Sequence, residues 1–287
     1  TEIYTLSLHD ALPILFSSDG SKIIAVCRDE IKILDIKTGN ALFSLDASVK
    51  NAAISPDGKK VVFADSMNFF SLWDFNKKKR IPLSYTGHTG EVNAVDFSPN
   101  GNRIVSAGYD SVKIWDARTG AELFTRESAH LRNIICVSFS PDGKYILSAG
   151  EEGDVKLWDT TLGIVSKFPP HLANCVQNSV VFSLDGSQIL FTSERGIFIW
   201  DVDSKKEIHH EIQGGSTLDS PVGFSLDRRK IIIRDIQDRI RIIRVSDGKE
   251  IDSIESDGKT INCLAFSPDD SKIACATEGG KVKIFDV

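Results

Sequence analysis

Cysteine is scarce in this chain, with five residues among 287. That is too few for a disulfide scaffold, and an odd count leaves at least one thiol without a partner inside the chain. Cys27, Cys136, Cys175, Cys263 and Cys275 have no metal-ligand spacing, so they read as small apolar side chains. No uninterrupted run of about 18 apolar residues occurs, so nothing reads as a membrane-crossing helix. There is no Gly-x-Ser-x-Gly elbow, no Gly-rich phosphate loop and no His-Glu-x-x-His, which removes the local signatures of several hydrolase and nucleotide-binding classes. The composition is not that of a disordered, collagen-like or coiled-coil chain. The net charge of −6 disfavours nucleic acid as the main ligand. No cofactor, metal or small-molecule substrate is expected. What is present is 41% hydrophobic residues in a length suited to one large domain.

One turn recurs, preceded each time by an apolar residue and a serine. It reads Phe16-Ser17-Ser18-Asp19-Gly20, Ile54-Ser55-Pro56-Asp57-Gly58, Phe97-Ser98-Pro99-Asn100-Gly101 and Phe139-Ser140-Pro141-Asp142-Gly143. It continues as Phe182-Ser183-Leu184-Asp185-Gly186, Phe224-Ser225-Leu226-Asp227-Arg228 and Phe266-Ser267-Pro268-Asp269-Asp270. Successive serines are 38, 43, 42, 43, 42 and 42 residues apart. Pro, Asp and Gly are turn residues, and a β-branched stretch such as Arg103-Ile104-Val105 follows each turn. An alternating segment comes next, such as Val112-Lys113-Ile114-Trp115-Asp116, then a turn such as Thr119-Gly120 and a fourth strand. Four strands per repeat and no room for a helix predict an all-β protein. One small sheet cannot bury both its faces, so seven sheets are expected to stack.

A second marker closes the third strand: Trp73-Asp74, Trp115-Asp116, Trp158-Asp159 and Trp200-Asp201, with Leu34-Asp35 and Phe285-Asp286 as weaker copies. All four tryptophans occupy this position, and in the sixth repeat the alignment puts Arg244-Val245 there. With these motifs the chain resembles the WD-repeat β-propeller family over residues 15–287. The resemblance implies a single seven-bladed propeller of four-stranded antiparallel blades. It also implies a His–Ser–Asp–Trp hydrogen-bond network within a blade, matched here by His88, Ser106, Asp110 and Trp115. The next repeat matches with His130, Ser148, Glu152 and Trp158. Phe63, Phe191, Ile233 and Cys275 hold the serine's position elsewhere, so those blades are expected to rely on apolar packing.

The first fourteen residues stand outside this grammar. Thr1 to Ile14 resemble the in-frame translation of a sequencing-library adapter at every position. They are expected to be an artefact, with a propeller incomplete at its N-terminus over 15–287. The seventh repeat shows only three strands, so Glu2 to Leu8 is expected to pair with Lys281–Val287 as the missing fourth. Across the last hairpin, Cys263 and Cys275 are expected to lie opposite each other as reduced thiols.

His88, Ser106 and Asp110 are also the residue types of a hydrolytic triad, but a serine in mid-strand is a poor exposed nucleophile. The adjacent His209 and His210 point to opposite faces of a strand and cannot chelate together. The chain therefore reads as a non-catalytic scaffold for protein or peptide partners, cytoplasmic and without a membrane span. The rival reading is a regulatory or targeting propeller of a larger signalling enzyme, of kinase or nucleotide-binding type. A third, a propeller enzyme of another family, is disfavoured by the repeated Trp-Asp.

Family usage implies binding at the top rim, formed by the loops before the first strand and between the second and third. Acids dominate there: Asp29, Glu30, Asp110, Glu151, Glu152, Asp154, Glu194, Asp235, Asp238, Glu255, Asp257 and Glu278. The bases are chiefly Arg28, Arg132, Arg195 and Arg239. Lys50, Asn93, Ile135, Asn178, Ser220 and Asn262, four residues before each repeat's Phe or Ile54, are expected to face the channel mouth. With Tyr109 as an aromatic anchor, this rim suits a partner that presents Lys or Arg. Basic runs at Lys77–Arg80, Lys205-Lys206 and Arg228–Lys230 fall at the opposite rim.

Overall fold

The computed structural model describes residues 6–7, 11–17, 20–27, 30–46, 49–65, 70–75, 77, 79–81, 88–109, 111–160, 165–167, 180–183, 185–193, 196–204, 206–210, 222–225, 227, 229–235, 237–255, 260–277 and 281–287. Among these, every regular element is a strand, and the strands form seven antiparallel sheets of four. We number the sheets in chain order, from sheet 1 at residues 11–46 to sheet 7 at residues 261–286. The chain divides into two compact units, residues 1–28, 32–42 and 175–287, and residues 29–31 and 43–174.

The serine of the recurring turn explains why the repeat needs it. In sheet 3, Ser98 Oγ accepts the Arg103 amide at 2.9 Å and bonds Asn100 Oδ1 at 2.9 Å. Gly101 N closes the turn on Ser98 O at 2.8 Å, with Gly101 at φ +68°. Ser55, Ser140, Ser225 and Ser267 pair in the same way with Asp57, Asp142, Asp227 and Asp269. All seven serines are buried, so each supplies a partner that the backbone there could not obtain from water. In sheet 7 the glycine's place is held by Asp270 at φ +57°. Asp270→Gly is therefore expected to raise stability by about 0.5–1 kcal/mol, read as a higher urea midpoint. A loss would mean that the bond from Asp227 N to Asp270 Oδ2, at 3.3 Å, outweighs the relieved backbone.

In the unit of residues 29–31 and 43–174, Phe70 and Leu72 of sheet 2 pack with Phe97, Ile104 and Trp115 of sheet 3. Ile114 and Ala107 of sheet 3 pack in turn with Val137, Phe139 and Trp158 of sheet 4. The third strand of sheet 3, Val112–Asp116, is thus buried on both faces along its first four residues. Side chains also stitch the first strands together: Asn51 Oδ1 accepts Val95 N at 3.0 Å, and Asp96 Oδ2 accepts Phe139 N at 2.8 Å. In the other unit, Leu190 and Ile199 meet Ile231, Ile233 and Ile243. Ile232 and Ile242 meet Leu264, Ile273 and Phe285, and Ile23 and Leu34 meet Ala274, Val282 and Ile284.

Sheet 7 takes its fourth strand from the N-terminus, as the strand count requires: Leu6 pairs with Val282 and Ser7 with Lys281. The rest of residues 2–8 lies outside the described residues. Sheet 1 begins with Ala11–Phe16, four residues earlier than Leu15. Its backbone pairs Ala11 with Cys27 and Phe16 with Ile23, so part of the adapter-like string supplies strand hydrogen bonds.

Two register expectations are corrected. In sheet 6, Ile231 pairs with Ile243 and Lys230 with Arg244, so Ile243-Arg244, not Arg244-Val245, fills the Trp-Asp position. The following turn agrees with this register, since Gly248 N bonds Arg244 O as Gly120 N bonds Asp116 O. In sheet 7 Cys263 pairs with Ala276, and Cys275 with Leu264. The turn bond from Ser267 N to Lys272 O centres the hairpin between two residues rather than on Asp269. Paired residues share a face and adjacent ones do not, so the two thiols point to opposite faces.

Candidate functional site

Sheets 3 and 4 each carry a relay of side chains across their strands. In sheet 4, Trp158 Nε1 donates to Ser148 Oγ at 2.8 Å, and Ser148 Oγ lies 2.7 Å from His130 Nε2. His130 Nδ1 lies 2.8 Å from Glu152 Oε1. Indole can only donate, so the serine proton is left for Nε2, and the His130 proton sits on Nδ1 facing the carboxylate. Burial holds His130 below its usual value against the pull of Glu152, so the ring is neutral. Burial pushes the Glu152 carboxyl up, but bonds from the Leu131 amide and His130 outweigh it. In sheet 3, Trp115 Nε1 donates to Ser106 Oγ at 2.8 Å and His88 Nε2 lies 2.7 Å from the same oxygen. Asp110 lies outside the described residues, and Ser111 Oγ meets His88 Nδ1 at 3.0 Å. Burial and nearby Lys113 bring His88 down to about 4.

Ser106 and Ser148 are fully buried, with each hydroxyl shared between indole and imidazole. That arrangement orders a loop against its sheet and offers no exposed nucleophile. Beside it, Gly108 leaves no room for a Cβ, which would run into the backbone oxygen of Glu91. Strand register confirms that Phe63, Ile233 and Cys275 stand at the Ser106 position, opposite Ser71, Arg241 and Lys283. A recurrent buried base went unnoticed in the sequence: Lys113, Lys156, Arg241 and Lys283 all occupy this third-strand site. Its signal was the residue two before each Trp or its substitute, which is Lys or Arg in five repeats. Lys113 Nζ reaches Thr125 Oγ1 at 3.0 Å, and Lys156 Nζ reaches Ala129 O at 2.6 Å.

Four of the six positions expected to face the channel mouth are bulges. Register shifts fall between Val49 and Asn51, Val92 and Ala94, Ile134 and Cys136, and Ile261 and Cys263. The residues skipped are Lys50, Asn93, Ile135 and Asn262. A bulge turns its residue out of the ladder, which is how these side chains are re-aimed. Lys50 Nζ pairs with Glu91 Oε2 at 2.6 Å, and Asn93 Nδ2 donates to Ile134 O at 3.3 Å. Asn178, Ser220 and Arg195 lie outside the described residues.

Two of the acids expected at the top rim are engaged within their own sheets. Asp235 is buried, accepting Arg239 Nε at 2.8 Å and two backbone amides, and Glu152 belongs to the relay. Glu151 and Arg132 are exposed, Glu151 Oε1 accepting from Asn133 Nδ2 at 3.1 Å. Tyr109 is 61% exposed and Leu131 87%. Leu131 was missed in the sequence, although its place is legible once His130 must turn inward: the next side chain then turns out. Among the described residues no group of three or more His, Cys, Asp and Glu could hold a metal ion.

The family model described as WD domain, G-beta repeat, matches residues 80–116, 122–159 and 248–286. Over 98% of its length the chain is similar, at 26% identity, to apoptotic protease-activating factor 1 of Rattus norvegicus, covering 23% of that protein. Over 90% it is similar, at 28% identity, to autophagy-related protein 16 of Arabidopsis thaliana, covering 43% of it. Over 65% it is similar, at 28% identity, to target of rapamycin complex subunit wat1 of Schizosaccharomyces pombe, covering 57% of it. The chain thus spans well under two thirds of each of these relatives.

Proposed function

We propose, from the premise that this chain belongs to the WD-repeat family, that it is a non-catalytic interaction module whose seven blades close into one propeller. On this reading its top rim holds a protein or peptide that presents Lys or Arg. The observation that carries the proposal is the pair of apolar side chains standing in solvent at one end of sheets 3 and 4, Tyr109 and Leu131. Lone exposed leucines are ordinary, but an aromatic and a leucine on neighbouring loops with exposed carboxylates are the elements of an interface core and rim. Among the described residues Glu151 has no ion-pair partner, and Glu91 pairs with exposed Lys50, a pair that a basic partner exchanges at small cost. That the yeast relative is by name a complex subunit fits an assembly role.

The test is fluorescence anisotropy with a panel of Lys/Arg-rich peptides containing one aliphatic residue. Tyr109→Ala and Leu131→Ala are each expected to weaken binding about tenfold or more, and Glu151→Lys to slow association at low salt. Loss only on Lys77→Ala/Lys79→Ala, at the opposite rim, would sink the top-face assignment. A second reading, a propeller within a larger signalling protein, is favoured by the partial coverage of the relatives. On that reading the same rim binds in cis, and a longer chain would compete with the added peptide.

A further inference from the structure

In the unit of residues 29–31 and 43–174, the turns joining first to second and third to fourth strands share one end of each sheet, opposite Tyr109 and Leu131. Lys60, Arg103 and Arg118 all lie at that end, Lys60 and Arg118 beside the buried Ala117. Lys60 Nζ of sheet 2 lies 3.4 Å from Ala117 O, and Ala117 N donates to Asn102 O at 2.9 Å. Arg103 and Arg118, the neighbours of Asn102 and Ala117, flank that junction and are exposed. Neither guanidinium lies within ion-pair distance of a carboxylate among the described residues. The carboxylates at this end serve the turns instead. Asp116 Oδ1 accepts Arg118 N, Thr119 N and Thr119 Oγ1, while Asp57 is bonded by Ser55 and Lys59 N. At Asp57 burial pulls the carboxyl up but the bonds outweigh it, and both acids are held below the usual carboxylate range. Arg103 and Arg118 stand exposed at this end, on a chain of net charge −6.

One apolar group completes the arrangement. The fourth strand of sheet 3 shifts register where Ile114 faces Phe124 and Trp115 faces Glu122, so Leu123 is bulged out of the ladder. It is 54% exposed, five residues beyond Arg118 and past the same hairpin. A bulge on an outer strand also blocks strand addition there, so recognition at this place runs through side chains.

We propose that this end of sheets 2–4 binds an acidic peptide segment, its carboxylates held by Arg103, Arg118 and Lys60 and an aliphatic residue set against Leu123. Two arginines offer the paired donors that carboxylates accept. Nucleic acid is disfavoured by the net charge of −6, and single-stranded RNA is kept as an outcome of the test. A single leucine is too little apolar surface for bilayer insertion, whereas it serves as one anchor in a peptide interface.

The experiment uses the full chain and a labelled peptide of alternating Glu and Leu residues, followed by anisotropy at low and physiological salt. Wild type is expected to bind, and more weakly at higher salt. Arg103→Glu/Arg118→Glu should reduce affinity by about tenfold or more, and the milder Arg118→Ala by several-fold. Tyr109→Ala should leave it unchanged, which separates this surface from the rim proposed above. Circular dichroism of the variants confirms that they fold. No binding by wild type, equal binding by the double variant, or preference for phosphatidylserine vesicles or single-stranded RNA each overturns the proposal.

Discussion

Replacing Trp115 by alanine is expected to lower the unfolding free energy by about 3–5 kcal/mol, the most damaging single truncation in this chain. Its side chain is fully buried, and its ring meets Phe70 of the adjoining sheet edge-on with centroids 4.9 Å apart. Truncation therefore removes apolar area from two sheets at once and leaves a cavity that rigid strands on both sides cannot close. It also removes the indole donor to Ser106, which leaves a buried hydroxyl one partner short. Trp115→Phe separates the two losses. It keeps most of the ring and forfeits the bond, for about 1–2 kcal/mol. Denaturant unfolding followed by far-ultraviolet circular dichroism measures both without relying on indole fluorescence. A cost near 1 kcal/mol for the alanine variant would mean that sheets 2 and 3 can collapse around the void.

The repeat was legible because it is written in backbone chemistry. Ser98 must accept an amide five residues on, Gly101 must take positive φ, and Asp116 must cap its turn through Thr119. Such demands tolerate few residue types, so they recur at fixed spacing and can be read without a structure. Apolar packing is far more permissive. Ile243 replaces the tryptophan of sheet 6, and without that conspicuous residue the sequence reading sits one residue off, although Gly248 keeps its place in the turn. Arg244, in the aspartate's place, reaches Asp247 at 2.9 Å and so keeps the turn tied by a different pair.

The bulges and buried lysines were hidden for a different reason. Alternation along Val112–Asp116 reads as one inward and one outward face, yet both are covered, because neighbouring sheets lie against each side. Lys113 therefore looks like a solvent residue in the sequence and is buried in the structure. Its ammonium escapes along its own stem to Glu122 and Thr125. At the rim, Tyr109 was found because an aromatic in a hairpin loop is conspicuous. Leu131 was not, since only the inward turn of His130 shows where its neighbour must go.

Two buried titratable groups should tilt the stability profile in opposite directions between about pH 4 and 6.5. His88 has its pKa lowered by burial from 6.5 to about 4, so the unfolded chain binds a proton in that interval and the folded one does not. Its contribution is complete above pH 6.5 and is lost as the pH falls towards 4. Asp96 behaves in reverse. Burial raises it from 3.8 to about 6, despite the amides of Phe97 and Phe139 that its oxygens accept at 2.8 Å. The folded state then holds the extra proton, so stability is greatest below about pH 4 and falls as the pH rises through 6. Each swing is on the order of 3 kcal/mol. They nearly cancel in the wild type, leaving a shallow rise towards neutrality from His130, which burial also lowers. Asp96→Asn should unmask the histidines, with a urea midpoint that climbs steeply from pH 4.5 to 7. His88→Gln should leave the Asp96 slope exposed, with a midpoint that levels or declines over the same range. Each substitution also lowers absolute stability by breaking bonds, so the slopes and not the midpoints decide the matter. Parallel profiles for wild type and Asp96→Asn would show that this carboxyl stays ionised where the first strands of sheets 3 and 4 meet.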